Sequence, residues 1–171
     1  MRVILMSTIY KRRSVRKYQE RDVEDELILE IIRAAMHAPS AGNEQPWHFV
    51  IVKDKAMKEK LVHLHPYAKM LSKAPVGVVV CADTELAKFR DFWVQDCSAA
   101  TQNMLLRATE LGLGAVWCGV YPDQDRIQGF RAALNLPENV VAFSLVCIGY
   151  PAENPEPVDR FKKERIHFER W

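Results

Sequence analysis

Arg12, Arg13 and Arg16 stand within five residues of one another around a hydroxyl, Ser14. Planar guanidinium forks grip phosphate oxygens in pairs, and a serine adds a rotatable donor, so the group suits a phosphate dianion better than it suits water. One helix later comes a second polar run: Pro39, Ser40, Ala41, Gly42, Asn43, Glu44, Gln45, Pro46 and Trp47. Its two prolines and glycine stiffen the backbone, while the hydroxyl and amides offer donors and acceptors. Asn43 and Gln45 alternate on the way into a strand, which turns both amides to one side, within reach of a ligand's hydroxyls or a ring edge. Together the runs form a cradle for a phosphate with a polyol tail. A basic segment near the end supplies a further cation, with Arg160 and either Lys162 or Lys163 the candidates. Taken singly, each run has a plainer reading: a solvated charged turn for the first, a helix-to-strand connection for the second.

Other chemistries lack their residues. The GxG of Gly112, Leu113 and Gly114 leaves a helix and enters a strand, the reverse of a dinucleotide fingerprint. No GxSxG or HExxH occurs. His63 and His65 are two apart on an expected helix and point to different faces, and His37 and His48 have no partner at ligand spacing, so the histidines read as structural or solvated.

The elements that must position these groups follow from periodicity. Leu27, Ile28, Ile31, Ile32 and Ala35 predict an amphipathic helix with Asp22 as its N-cap and Pro39 as its stop. Residues 47–52 are β-prone, residues 54–65 predict a charged helix with Met57, Leu61 and Leu64 inward, and the unbroken apolar run 76–81 predicts a central strand. Residues 91–111 predict a long helix with Trp93, Cys97, Ala100, Met104, Ala108 and Leu111 on one stripe and Leu105 and Leu106 beside it, so it must be covered all round. A strand at 115–120, a helix at 125–134 and a strand at 140–150 complete the chain. By pattern alone, strands alternating with helices suggest a parallel, doubly wound sheet. From Pro151 onward prolines keep the chain extended, and Ile166, Phe168 and Trp171 close it with apolar anchors, so residues 151–171 are expected to wrap a second subunit.

Composition sets the frame. The 171 residues fit one domain, 1–171, with 49% hydrophobic residues for its core. A net charge of +2, from 24 basic and 22 acidic residues, gives little bulk attraction for nucleic acid. Cysteines 81, 97, 118 and 147 form no CxxC pair and sit mostly in apolar segments, as reduced thiols do. With neither a signal-like start nor an apolar run of ~18 residues, the expectation is a cytoplasmic protein with no membrane partner.

The ordered motifs RRSVRKY, PSAGNEQPWHF, KMLSKAPVGVVVCAD, DCSAATQNMLL, GLGAVWCG and ERIHFERW span nearly the whole chain, and in that order the sequence resembles the short-chain nitroreductase family of flavin mononucleotide (FMN) oxidoreductases. The resemblance implies an α+β fold, with a mixed and largely antiparallel sheet between helices, in place of the doubly wound one. It also implies an intertwined homodimer whose C-terminal arms are exchanged, the long helix from Asp91 lying in the dimer core. By the same resemblance, Arg12, Arg13, Ser14 and Arg16 bind the phosphate, ribityl chain and ring edge of FMN, with Arg160 and Lys162 at the phosphate. Pro39, Ser40, Ala41, Asn43 and Gln45 approach from the other subunit, and Lys69 lies near the pyrimidine edge. Trp117, Cys118 and Gly119 fall at the reactive N5 edge, where the amides of Cys118 and Gly119 are the implied donors. The chain departs from larger members by carrying Cys118 in place of a glutamate and Pro66 in place of an asparagine.

The implied reaction is hydride transfer from NAD(P)H to flavin N5, then delivery to a small acceptor such as a nitroaromatic or quinone by a ping-pong route, with no obligatory protein acid or base. Tyr67, Phe89, Phe92, Trp93 and Tyr121 are candidates for the pocket wall. The alternatives are another reaction on the same scaffold (dehalogenation, flavin fragmentation or heterocycle oxidation) and a non-catalytic flavin-binding sensor.

Overall fold

Four strands, β1 (Trp47–Val52), β2 (Val76–Asp83), β3 (Gly114–Gly119) and β4 (Val140–Gly149), form one sheet in the order β1-β2-β4-β3 in a computed structural model that describes residues 7–171. Every ladder between these strands is antiparallel: Phe49 faces Val80, Val78 faces Val146 and Val116 faces Cys147. The parallel sheet suggested by pattern is therefore wrong, and the reason is burial. β2 and β4 occupy the middle and are covered on both faces, so neither shows the polar alternation that marks an antiparallel strand with a wet face. The only parallel pairing among the described residues is an isolated bridge between Ser14 and Ala115.

Helices cover both faces. α2 (Asp25–Met36) and α4 (Trp93–Glu110) close one side over Ile31, Cys97, Met104, Val78 and Val146. α3 (Lys55–Leu64) and α5 (Gln124–Leu134) close the other over Leu61, Phe130, Val79 and Leu145. A short α1 (Thr8–Lys11) precedes them. Asp54 caps α3 by accepting from Met57 N at 2.7 Å, and Asp123 caps α5 by accepting from Arg126 N at 3.1 Å. Asp22 does not cap α2: the N-cap is Glu24, itself extended, so the helix starts at Asp25 without a side-chain cap. α4 begins at Trp93 after a single 3₁₀ turn (Arg90–Phe92) and buries Asp96 and Thr101 along with its apolar stripe.

The edge strand β3 is where the arginine segment docks. Val15 N donates to Ala115 O at 3.0 Å, and Tyr18 Oη donates to the carbonyls of Val15 and Cys147 at 2.7 and 3.2 Å. Gly114 makes the approach possible, because a Cβ there would lie 2.6 Å from Val15 Cγ1. The end of the chain then returns along the same segment: Gln19 N donates to Tyr150 O and Ala152 N to Lys17 O, both at 2.9 Å. Residues 151–153 thus pack on their own chain, and the exposed arm starts about three residues later than the sequence suggests. Beyond it Phe161, Phe168 and Trp171 are exposed, the last fully. Among the described residues no helix is long and apolar enough to cross a membrane.

Candidate functional site

The segment docked on β3 opens a cavity of about 480 Å³ lined by Arg13, Ser14, Arg16, Lys17, Glu153, Pro155 and Arg160. Arg13 Nε is buried there with no partner among the described residues, an orphaned charged donor of the kind an anion satisfies. Arg12 stands behind, its guanidinium pushed below its ordinary value by burial and by the neighbouring charges of Arg160 and Arg13. Glu153 is the one carboxylate present, and its Oε1 is taken up by the backbone N–H groups of Arg16 at 2.6 Å and Lys17 at 3.2 Å. The carboxylate therefore fixes the backbone of the arginine run and leaves the guanidinium groups free for a ligand.

Arg16 also lines a second cavity, of about 460 Å³, with His65, Tyr67, Met70, Val116, Trp117, Cys118, Gly119, Tyr121 and Arg126. The two cavities meet at this side chain, one cationic and one walled by aromatic rings. Such a pair accommodates a phosphate joined to a flat heterocycle.

Strand alternation decides which amides face the second cavity. Ala115 O points away from β4 toward Val15, and Gly119 O points away toward His65 Nε2 at 2.8 Å and Arg126 Nη1 at 3.2 Å. Alternate residues of an antiparallel strand direct their backbone groups to opposite sides. All six residues of β3 lie in register with β4, and by this alternation the backbone groups of Ala115, Trp117 and Gly119 turn to the open edge while those of Val116 and Cys118 turn to β4. Of the two donors that the resemblance implies, this alternation turns the Gly119 N–H to the open edge and the Cys118 N–H toward β4. The Cys118 side chain is buried, with Sγ 3.8 Å from the Tyr67 carbonyl and 3.9 Å from Met70 Sδ.

His65 is fully buried and its tautomer is set by its neighbours. Tyr67 N donates to Nδ1 at 3.3 Å, so Nε2 carries the proton and donates it to Gly119 O. Burial holds the imidazole below its ordinary value, the Gly119 hydrogen bond opposing and Arg126 reinforcing the shift. Arg126 is tied to Asp123, Nε to Oδ2 at 3.3 Å, and lies 5.6 Å from the centre of the Tyr67 ring.

The polar loop is a 3₁₀ turn (Ala41–Asn43) with Gly42, Asn43 and Gln45 at positive φ. Gln45 Nε2 donates to Asn43 Oδ1 at 3.0 Å, so the two amides do share a side, but through left-handed backbone and not through strand alternation. Ser40 Oγ accepts from Gln45 N at 3.0 Å, and Asp96 on α4 accepts from Ala41 N at the same distance. Phe89 packs over Gly42, where a Cβ would lie 2.7 Å from its ring. Within one chain Pro39, Ser40, Ala41, Asn43 and Gln45 line neither cavity, and neither do Lys69 and Lys162. Of the expected wall, Tyr67 and Tyr121 line the second cavity; Trp93 stands behind Tyr121, ring centres 4.9 Å apart, and Phe89 and Phe92 are exposed elsewhere. Sequence reasoning missed His65, Met70, Arg126, Glu153 and Asp96. Only Arg126 left a signal, three residues after the α5 cap.

A family model described as the nitroreductase family matches residues 9–65 and 59–150. The chain belongs to the nitroreductase family. A protein of Methanothermobacter thermautotrophicus with the provisional name NADH dehydrogenase/NAD(P)H nitroreductase is 53% identical to this family member over 98% of this chain and 87% of its own length. The solved structure of an FMN-dependent nitroreductase of Clostridium difficile has a TM-score of 0.89 to this nitroreductase-family chain at 30% identity, covering 97% of this chain and 99% of that one. A provisionally assigned nitroreductase of Desulfovibrio desulfuricans, solved in complex with FMN, has a TM-score of 0.83 at 31% identity over 96% and 95% of the two chains.

Proposed function

We propose that this nitroreductase-family chain works as a homodimer with one FMN per chain, taking electrons from NAD(P)H and passing them to small acceptors such as nitroaromatics and quinones. The observation that carries the reading is the orphaned Arg13 Nε in a cationic cavity that runs, through Arg16, into a ring-walled one. Names of relatives, among them the FMN reductase of Bacillus subtilis and the oxygen-insensitive NADPH nitroreductase of Salmonella typhimurium, agree with it.

Arg12, Arg13, Ser14 and Arg160 hold the phosphate, with Lys162 joining them. Arg16 spans phosphate and ring, and its charge favours the electron-rich form of the pyrimidine side. Gly119 N–H sits at the reactive edge, with Trp117 and the backbone around Cys118 as the wall. Bound FMN supplies hydride acceptance and release at N5, so the protein's work is to orient, to stabilise charge and to shape the space above the ring. Pro39, Ser40, Ala41, Asn43 and Gln45, together with Lys69, reach the flavin only if a second copy brings them, and the exposed Phe161, Phe168 and Trp171 give that copy its apolar anchors.

The test is a visible spectrum and flavin quantitation of the purified protein, followed by anaerobic titration with NADH and with NADPH and a mass measurement in solution. One FMN per chain, bleached by a nicotinamide donor in a dimer, is expected. Recovery of FAD, or a colourless monomer that ignores added FMN, overturns the reading.

A further inference from the structure

The second cavity holds one more cation than a flavin ring needs. Its lining includes two guanidinium groups, Arg16 and Arg126, and no carboxylate. Arg16 faces the phosphate side as well, but Arg126 lines only this cavity, at the end where β3 leaves the sheet. Arg126 is rigidly held: Nε meets Asp123 Oδ2 at 3.3 Å, Nη1 donates to Gly119 O at 3.2 Å, and the side chain is only 23% exposed. Its Nη2 makes no hydrogen bond among the described residues, which leaves a pre-oriented donor whose immobilisation is already paid for by the fold.

The surroundings are chosen for an anion. Two groups would repel one: the Gly119 carbonyl, covered by His65 Nε2 and Arg126 Nη1, and the Asp123 carboxylate, whose oxygens are engaged by Arg126 Nε and by the Arg126 backbone N–H. A ligand approaching the Gly119 edge therefore meets a carbonyl already satisfied and the free Arg126 Nη2. Beside them Tyr67 presents a ring that is 72% exposed yet fixed by an edge contact with His65, 6.3 Å between centres. A planar aromatic molecule at that ring would have Arg126 Nη2 within reach of a charged substituent, the guanidinium lying 5.6 Å from the ring centre.

We infer that Arg126 and Tyr67 form an anion subsite that selects aromatic electron acceptors carrying a carboxylate across the ring from the reducible group. The inference rests on the flavin reading above, since it places the reducible group at the Gly119 edge. The phosphates of NAD(P)H share the same chemistry, and the experiment separates the two sources.

Binding of benzoate and of benzamide to the flavin-loaded protein is measured by calorimetry, for the native sequence and for Arg126→Gln and Arg126→Lys. The native protein is expected to bind benzoate about tenfold more tightly than benzamide, the effect of one charge-assisted hydrogen bond at a partly exposed site. Arg126→Gln brings the ratio close to one, Arg126→Lys retains part of it, and the kcat/KM ratio of 4-nitrobenzoate to 4-nitrobenzamide falls in parallel. Absence of a benzoate preference in the native protein, which needs no variant to observe, overturns the subsite. A preference that survives Arg126→Gln overturns it too. Slowed anaerobic flavin reduction by NAD(P)H in Arg126→Gln with the benzoate ratio intact assigns the guanidinium to the donor's phosphates and overturns the acceptor assignment. A colourless protein fails the flavin reading first, and the subsite with it, whereas a yellow protein without anion preference fails the subsite alone.

Discussion

The Asp96 carboxylate on α4 accepts the backbone N–H of Ala41 at 3.0 Å and so ties the polar loop to the helix that packs beneath the sheet. Its other oxygen, Oδ2, is buried without a partner among the described residues. Burial pushes the carboxyl above its ordinary range; the Ala41 hydrogen bond opposes this and the charge of Glu44 adds to it. The folded state thus carries a penalty at pH values above the raised pKa, relieved as pH falls toward the ordinary 3.8.

Asp96→Asn keeps an acceptor for Ala41 and removes the charge, whereas Asp96→Ala leaves the amide unpaired at a cost of about 1 kcal/mol. Urea denaturation is expected to place Asp96→Asn above Asp96→Ala at pH 7. The advantage of Asn over the native residue shrinks as pH is lowered. An alanine variant as stable as the native protein, with the loop unmoved, removes Asp96 from the site's support.

His65 titrates with the opposite sense. Its folded pKa lies below the ordinary 6.5, so above that pH both states are neutral and stability does not depend on it. As pH falls below 6.5 the unfolded chain takes up the proton first, and stability drops until the folded pKa is passed. Melting curves from pH 7.5 downward should show this loss in the native protein and its absence in His65→Gln, whose amide can still donate to the Gly119 carbonyl. Parallel curves for the two proteins would show that His65 is not held neutral by its surroundings.

Gly114 and Gly112 give a matched pair. An added Cβ at Gly114 collides with Val15 Cγ1 at 2.6 Å and Val15 Cβ at 2.7 Å, and a β-branched side chain has little room to yield. Gly112 has φ +75° and open space, so alanine there is strained only in its backbone. Gly114→Ala should displace the arginine run and weaken FMN binding by roughly tenfold or more, the loss of about one charge-assisted contact. Gly112→Ala should cost about 1 kcal/mol of stability without changing affinity. Equal affinity in both variants, measured by flavin fluorescence, disconnects the β3 docking from the cofactor.

These devices also mark how far the sequence could be read. The helices were legible because residues such as Ile28, Ile31, Ile32 and Ala35 recur at helical spacing, and the central strand because residues 76–81 are apolar without a break. Strand direction was not, since β2 is buried on both faces and a continuous apolar run is silent about its neighbours. Arg13, Ser14, Arg16 and Arg160 announced themselves by type and do line one cavity. Glu153 and His65 gave no signal: each works through a backbone group far away in sequence, Glu153 on Arg16 N and His65 on Gly119 O. Likewise, the choice of Gly119 over Cys118 as edge donor depends on which side of β3 pairs with β4, a property of the assembled sheet.

Arg13 and Arg16 separate the two jobs of the cationic run. Arg13 lines the cationic cavity but not the ring-walled one and keeps a buried Nε without a partner among the described residues, whereas Arg16 lines both and its backbone is independently held by Glu153. Charge-assisted hydrogen bonds contribute about 1.5–3 kcal/mol, and a factor of ten in affinity is about 1.4 kcal/mol. Arg13→Ala should therefore weaken FMN binding by roughly ten- to a hundredfold while activity partly recovers at saturating FMN. In Arg16→Ala the affinity loss should be joined by a lower midpoint potential, because the reduced ring loses a nearby cation. Fluorescence titration and anaerobic redox titration on both variants distinguish the roles. Unchanged affinity in both would return the run to a solvated turn, and an unchanged potential in Arg16→Ala would confine that arginine to the phosphate.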